Sequence, residues 1–396
     1  MYFCYKYRVD ACICSSDVVD LFVKAIEGKT TLIVPQSSLT AKVPPKTPAF
    51  FNPAAKLNRD LSVLAYSAIA PSLPDKTFAD SFTGVGVRAL RVAVEVPGIE
   101  QIYGNDINPI AILAAKEAAQ LNSVANKCHF STDEVCKFLL RGDDKGERFG
   151  IVDLDPFGTP AKHIDCVLRA VLDGGLVSVT ATDTAVLCGI YPEVCIRRYY
   201  GRPLNSSYSN EVALRLLLSL LALTASRLEL AIKPMFVHTM MHYMRIYASV
   251  SVNSSGANDV YRNIGYIMHC FRCGHRFSMD EYDRKKKCEL CGSSLRIGGQ
   301  LWIGTLHDKE FIKKMLKQNP NIQCKKVLDP SLEEISKIPY YFRADEISEK
   351  LKTNPLSIQK IIEKMQSAGF SASKTALNTS AFKTNASINQ ILDILK

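Results

Sequence analysis

The six residues from Asp153 to Gly158, DLDPFG, set two carboxylates, a proline, an aromatic ring and a glycine directly after the apolar stretch RFGIV. Proline and glycine bend chains and aspartate favours turns, so in isolation the stretch reads as a turn that ends a strand. The same residue types also suit a particular chemistry. An exocyclic amine on a nucleobase is a poor nucleophile because its lone pair is delocalised into the ring. A carboxylate and a backbone carbonyl that accept its N–H bonds localise that pair, and an aromatic face holds the base by stacking. Asp155 and Phe157 can supply those parts. Asp153, two residues earlier, shares a strand face with Asp155 and could tune it or accept a bond from the loop.

Three further strand ends carry acids. KTFAD ends at Asp80 and runs into the glycine-containing turn DSFTGVGVRAL, the strand, turn and helix of a nucleotide-binding crevice. YGNDINP places Asp106 26 residues after Asp80, where one carboxylate can accept both hydroxyls of a ribose. STDEV offers Asp133 or Glu134 to an adenine amino group and Val135 to the ring. Each acid alone reads as a helix cap or a solvated turn. In succession they point to S-adenosylmethionine or a dinucleotide, both of which use the crevice at the carboxyl ends of parallel strands.

Of the 13 cysteines, four form close pairs, CFRC (Cys270, Cys273) and CELC (Cys288, Cys291), each pair followed by glycine and separated from the other by 14 residues. That spacing supplies four thiolates for a structural Zn2+. Two disulfides are the alternative, and the absence of a secretory pattern at the N-terminus argues against them. The other nine, Cys4, Cys12, Cys14, Cys128, Cys136, Cys166, Cys188, Cys195 and Cys324, are expected as free thiols packed like small hydrophobes in a reducing compartment.

The elements that must position these groups alternate. From Thr77 to Val252 short apolar runs interleave with segments of helical spacing, which predicts an α/β fold with a mainly parallel, doubly wound sheet of seven strands, its last pair antiparallel. LRLLLSLLALTASRLEL (Leu214 to Leu230) is interrupted by Arg215 and Arg227 and reads as a buried helix, so no membrane span is expected. Beyond residue 255 the chain turns cysteine- and turn-rich, and from Ile338 it follows a winged-helix-like order. The expected division is an N-terminal extension (1–30), a catalytic domain (31–253) and a C-terminal α+β domain (254–396), with a zinc knuckle over 266–293 and the winged-helix-like region over 338–396. The formal charge of +10 suits a polyanionic partner, and DRKKK (283–287) is a candidate phosphate contact.

DLDPFG is similar to the Asp/Asn-Pro-Pro-aromatic signature of amino-group methyltransferases, shortened by one proline. With AFFNPAAKLNRDLSV, DSFTGVGVRALR, NDINP, VDLDPFGTP, TATDTAVLCG and AFKTNA in that order, the chain resembles the tRNA guanine-26 N2-dimethyltransferase family over roughly residues 30 to 396. The resemblance implies a Rossmann-like class I methyltransferase sheet, S-adenosylmethionine as cofactor, tRNA as partner, and N2-methyl- and N2,N2-dimethylguanosine as products. It makes Arg59 and Arg88 cofactor contacts, Asp106 the ribose acid and Asp133 the acid near adenine. Asp155 becomes the catalytic acid, with Phe157 and Phe50 as aromatic walls for an extruded guanine. Thr180, Thr182 and Asp183 could shape the base pocket. Cys188 is expected to pack, since methylation of an exocyclic nitrogen needs no covalent adduct. A cytoplasmic monomer is expected. The rival readings are an amino-group methyltransferase acting on another tRNA or rRNA base, and a catalytically silent RNA-binding protein of the same fold.

Overall fold

The computed structural model describes residues 21–140, 148–240, 242–281, 287–335 and 337–396. Most of DRKKK lies outside them. A hairpin of β1 (Phe22–Glu27) and β2 (Thr30–Pro35) opens the described chain. An irregular segment rich in proline leads from it to helix α1 (Lys56–Ile69).

The central sheet contains β3 (Thr77–Asp80), β4 (Gln101–Asn105), β5 (Cys128–Ser131), β6 (Phe149–Leu154), β7 (Val171–Ala181), β8 (Leu230–Met240) and β9 (Tyr243–Val252). Among the described residues it has seven strands in the order β5-β4-β3-β6-β7-β9-β8. The first five run parallel; β9 is antiparallel to both β7 and β8. Strand order therefore reverses between β4 and β6 on either side of β3, and the carboxyl ends of β3 and β6 meet at that switch point. These are the strands that end in Asp80 and in DLDPFG.

Both faces of the sheet are covered, as parallel strands apolar on both sides require. On one face lie α1, α2 (Val87–Glu95) and α3 (Pro109–Leu121). The other holds α4 (Val135–Leu140), α5 (Ile164–Ala170) and α6 (Ser209–Arg227). Helix α6 is the one described helix long and apolar enough to cross a membrane, and its leucines are instead buried against the sheet.

The C-terminal part has two small sheets. Strands β10 (Ile264–His269), β11 (Arg276–Met279) and β12 (Arg296–Trp302) form an antiparallel sheet that carries the paired cysteines. Helices α7 (Lys309–Leu316) and α8 (Ile322–Glu333) then return to the catalytic core, where Phe311, Ile312, Met315, Cys324 and Leu328 join the same apolar cluster as α1. The remainder, β13 (Phe342–Arg343), α9 (Ala344–Leu351), α10 (Ile358–Ser367), β14 (Ala372–Lys374), β15 (Ala381–Thr384) and α11 (Ile388–Leu395), has the helix, helix and hairpin order of a winged helix around its own core.

Two features differ from the sequence reading. Cys136 and Cys166 are joined as a disulfide linking α4 to α5, rather than standing as free thiols. Their Cα atoms are 5.5 Å apart, a proximity of two neighbouring helices that a sequence separation of 30 does not reveal. The hairpin β1–β2 also starts inside the stretch set aside as an extension, and Glu27 on it is buried.

Lys383 of AFKTNA joins the C-terminal part to α6. Its ammonium, fully buried, contacts Glu211 and lies 2.9 Å from Glu334, while Glu211 also receives Arg215 at 2.8 Å. Arg215 in turn donates to the carbonyls of Trp302 at 2.8 Å and Gly304 at 3.0 Å. Two anions and two cations thus offset one another away from water. Replacing Lys383 by methionine would leave Glu211 with Arg215 alone and strip Glu334 of its ammonium. Lys383→Met is expected to lose about 3–5 kcal/mol of stability, read as a lowered midpoint in urea unfolding.

Candidate functional site

A pocket of about 390 Å3 opens at the carboxyl ends of β3 and β6. It is lined by Asp80, Thr83, Gly84, Arg88, Asp106, Asp155, Pro156 and Phe157, by Phe50 ahead of α1 and Asn58 and Arg59 at its start, and by His242 and Tyr243 where β8 turns into β9. Its size falls in the range of small-molecule sites.

The turn after β3 is built for close approach. Gly84 and Gly86 take φ of +54° and +80°, and a Cβ on Gly86 would stand 2.7 Å from that of Ala115 on α3. The turn is pinned by Thr83 N to Asn105 O at 2.8 Å and by Gly84 N to Asp106 Oδ2 at 3.0 Å. Asp106 Oδ1 accepts from Asn108 N at 2.9 Å. Each carboxylate oxygen thus has a backbone donor and a lone pair to spare. Burial raises the Asp106 carboxyl above its ordinary range against the pull of those two N–H groups.

Arg88 reaches the opposite wall. Its guanidinium donates to Ser62 Oγ at 2.5 Å and Asn58 Oδ1 at 3.3 Å, and its Nη2 holds Asp155 Oδ2. Asp155 is partly exposed to the pocket, and Oδ1 has no protein partner among the described residues, so that oxygen is available to an incoming N–H group. Arg59, by contrast, is engaged from behind. Glu27 accepts its Nε at 2.7 Å and Nη2 at 2.5 Å, and the Asn52 carbonyl accepts Nη2 at 3.0 Å.

Asp153 does not line the pocket. It is fully buried beneath it, where Oδ2 accepts from Ser178 Oγ at 2.9 Å and from Tyr66 and Arg245, with Arg88 Nε 3.5 Å away. Burial pushes its carboxyl up, but Arg245 and Arg88 outweigh it and hold Asp153 below the ordinary value. Asp153 therefore positions the arginine that holds Asp155. Arg245, absent from the sequence reading, is fully buried on β9 and also donates to Tyr66 OH at 2.9 Å, Tyr247 OH at 2.9 Å and Thr180. A lone charge in the apolar strand YMRIYASV was its available signal.

Phe157 is 58% exposed. Its ring meets Phe50 edge-on, centroids 4.7 Å apart at 81°, so the two form a corner and not a parallel slot. Lys46 lies over the Phe157 ring at 4.9 Å. Thr182 fixes the loop, accepting Gly158 N on its hydroxyl at 2.6 Å and donating its own N–H to Gly158 O at 2.8 Å. Gly158 has φ +76°, a turn conformation that glycine adopts freely. Asp183 is taken up by Tyr199 OH at 2.6 Å and Arg198 at 3.0 Å, and Cys188 packs beside Asn210, its thiol pushed up by burial. Neither residue lines the pocket.

Asp133, Glu134 and Val135 stand outside the lining at the end of β5, two strands from the switch point. Asp133 is 3.1 Å from Lys137, Glu134 caps α4 by accepting Lys137 N at 3.0 Å, and Val135 is in the core.

In the C-terminal part, Cys270 and Cys291 sulfurs are 3.4 Å apart and those of Cys273 and Cys288 3.6 Å. Four sulfurs on one tetrahedral ion are separated by about 3.8 Å. Each pair ends in a turn closed by a glycine, Gly274 N to Cys270 O and Gly292 N to Cys288 O, both 2.8 Å. The donor set fits zinc.

The family model described as N2,N2-dimethylguanosine tRNA methyltransferase matches residues 28–396. A Methanothermobacter thermautotrophicus protein named tRNA (guanine(26)-N(2))-dimethyltransferase is 34% identical over 377 residues, 93% of this chain and 97% of that one. An Aquifex aeolicus protein named tRNA (guanine(26)-N(2)/guanine(27)-N(2))-dimethyltransferase is 34% identical, covering 92% and 94%. The structure of Trm1 from Pyrococcus horikoshii with S-adenosyl-L-methionine aligns with a TM-score of 0.81 at 25% identity, over 94% of this chain and 99% of that chain.

Asp80 offers a test of the site's electrostatics. Burial raises its carboxyl to about 7, the neighbouring Asp153 adding to the effect and Arg88 opposing it. An acid held this way contributes stability below the unfolded-state carboxylate value near 4, and that contribution is lost as pH rises through about 7. Asp80→Asn, which has no such loss, should gain Tm relative to the unaltered protein between pH 5 and 8 in thermal unfolding.

Proposed function

The chain belongs to the N2,N2-dimethylguanosine tRNA methyltransferase family, and from that premise we propose that it methylates the exocyclic N2 of guanine 26 in tRNA, once or twice, at the pocket floored by Asp155. The observation that carries this reading is the pairing of one half-anchored carboxylate with an exposed aromatic corner at the mouth of a nucleoside-sized crevice.

S-adenosylmethionine, when bound, would supply an electrophilic methyl whose C–S bond breaks on transfer, the electron pair staying on sulfur as a neutral thioether. Asp106 would hold the ribose hydroxyls on its spare lone pairs, and the adenine side would then face the end of β5, toward Asp133 and Val135. Asp80, Arg59 and Arg88 line the remaining wall, with Arg88 held in place by Ser62 and Asn58. On the acceptor side, guanine must leave the tRNA stack to present N2, at a cost of a few kcal/mol. Stacking in the Phe157–Phe50 corner returns roughly 1–3 kcal/mol. Asp155 Oδ1 accepts one N2–H, which draws the lone pair out of the ring and aims it. As the new N–C bond forms, N2 becomes acidic and Asp155 takes its proton. Arg88 on Oδ2 keeps the other oxygen turned toward the base.

Modification at the adjacent guanine 27 is a second reading, favoured by the name of the Aquifex relative. We also propose that Cys270, Cys273, Cys288 and Cys291 hold one structural Zn2+, and that the winged-helix-like region contacts tRNA.

Incubation with unmodified tRNA and labelled cofactor, followed by digestion to nucleosides, is expected to give N2-methyl- and N2,N2-dimethylguanosine; their absence refutes the reading. Asp155→Asn should lower kcat by about 10²–10⁴-fold, with cofactor affinity by calorimetry nearly unchanged. Metal analysis should find one zinc per chain, and Cys273→Ser with Cys291→Ser should lose both the zinc and several degrees of Tm.

A further inference from the structure

Resting on the proposal that the substrate is tRNA, we propose that the outer faces of α7 and α8, continued by Lys56 and Lys46, form the track that holds the tRNA phosphate backbone beside the extruded guanine. The segment from Lys309 to Lys326 contains six lysines against a single acid, Glu310, half of the chain's formal excess of +10. Both helices are amphipathic and turn their apolar sides inward, Phe311, Ile312 and Met315 on α7 and Cys324 and Leu328 on α8. The lysines are left facing solvent. Lys309, Lys313, Lys314, Lys317, Lys325 and Lys326 are all exposed. Lys313 is paired with Glu310 at 2.7 Å, whereas Lys314, Lys317, Lys325 and Lys326 have no acidic partner among the described residues.

A run of lysines on a surface is ordinarily a solvated face, and placement separates this one from that case. Asn321, which caps α8, donates to Asp60 Oδ2 at 3.0 Å, and the same oxygen receives Lys56 at 2.6 Å. Asp60 follows Arg59, which lines the pocket. The first turn of α1 therefore faces the pocket on one side and the start of α8 on the other. Lys325 lies four residues beyond Asn321, about 6 Å along the helix axis. At the other end, Lys46 sits over the exposed ring of Phe157, on a segment tied to the site by Asn108 Nδ2 to Pro48 O at 2.8 Å. Two stretches of sequence more than 250 residues apart thus bring lysines to either side of α1, whose Arg59 lines the pocket, and to Phe157 at its mouth.

The chemistry fits a phosphate backbone rather than base edges. Lysine acts as a point charge on phosphate, and along α7 and α8 this track offers no arginine fork and no exposed aromatic ring, Phe311 being buried. Such a contact positions the nucleic acid, adds affinity through counterion release, and carries no sequence preference of its own.

The test compares the unaltered enzyme with Lys325→Glu/Lys326→Glu and with the milder Lys325→Gln/Lys326→Gln, and reads KM for unmodified tRNA, kcat and cofactor binding across a salt series. Charge reversal should raise KM for tRNA tenfold or more near 150 mM salt, and the glutamine pair by less. The slope of log affinity on log salt should flatten by roughly one to two units in the glutamine pair. Cofactor affinity should hold in both. If the unaltered enzyme methylates tRNA while both variants keep its KM and salt slope, the track is refuted and the activity stands. If the unaltered enzyme neither binds nor methylates tRNA, the activity and the track fall together.

Discussion

Arg245 enters the centre of the sheet with a full charge and no water, and the acceptor side of the site depends on how that charge is met. Its principal counter-charge is Asp153, itself fully buried, with Tyr66, Thr180 and Tyr247 supplying further acceptors. An isolated charge in that position would cost several kcal/mol, so the pair must form with good geometry or the core is lost. Once formed, it fixes the end of β6 against β9 and presents a second guanidinium, Arg88, to the carboxylate two residues on. The order of the reactive groups is thus set from below, chiefly by Asp153 and Arg245, which lie outside the pocket lining.

The same logic explains why DLDPFG carries two acids of unlike fate. Alternation along a strand would put Asp153 and Asp155 on one face, but Pro156 and Gly158 end the strand, and the two carboxylates part. One is sealed among cations, the other half-anchored at the pocket. Each keeps one oxygen without a hydrogen-bond partner among the described residues, but only that of Asp155 opens on the pocket.

Much of this architecture was legible in the residues. Alternating apolar runs announced the parallel sheet, the strand-end acids at Asp80 and Asp106 fell at the crevice, and the cysteine spacing announced a four-sulfur cluster. The signals that failed are non-local. Arg245 and Asp153 are 92 positions apart and Lys383 and Glu211 are 172 apart, so no window on the sequence pairs them. Cys136 and Cys166 meet only because α4 packs on α5. Asp133, Glu134 and Val135 do follow the end of a strand, that of β5, two strands from the point where order reverses, with Glu134 also capping its own helix.

The link between Lys383 and the catalytic core has a consequence in the order of synthesis. Ribosomes release the chain from its N-terminus, so Glu211 and Glu334 emerge well before the lysine that joins them. Until synthesis has reached β15, Glu334 has no ammonium to settle against, and the face of α6 that receives the C-terminal part cannot close. A polypeptide halted short of β15 carries every residue named at the pocket, but not the cation that lets its core seal. Translation that stops before β15 therefore leaves the buried carboxylate of Glu334 without its ammonium.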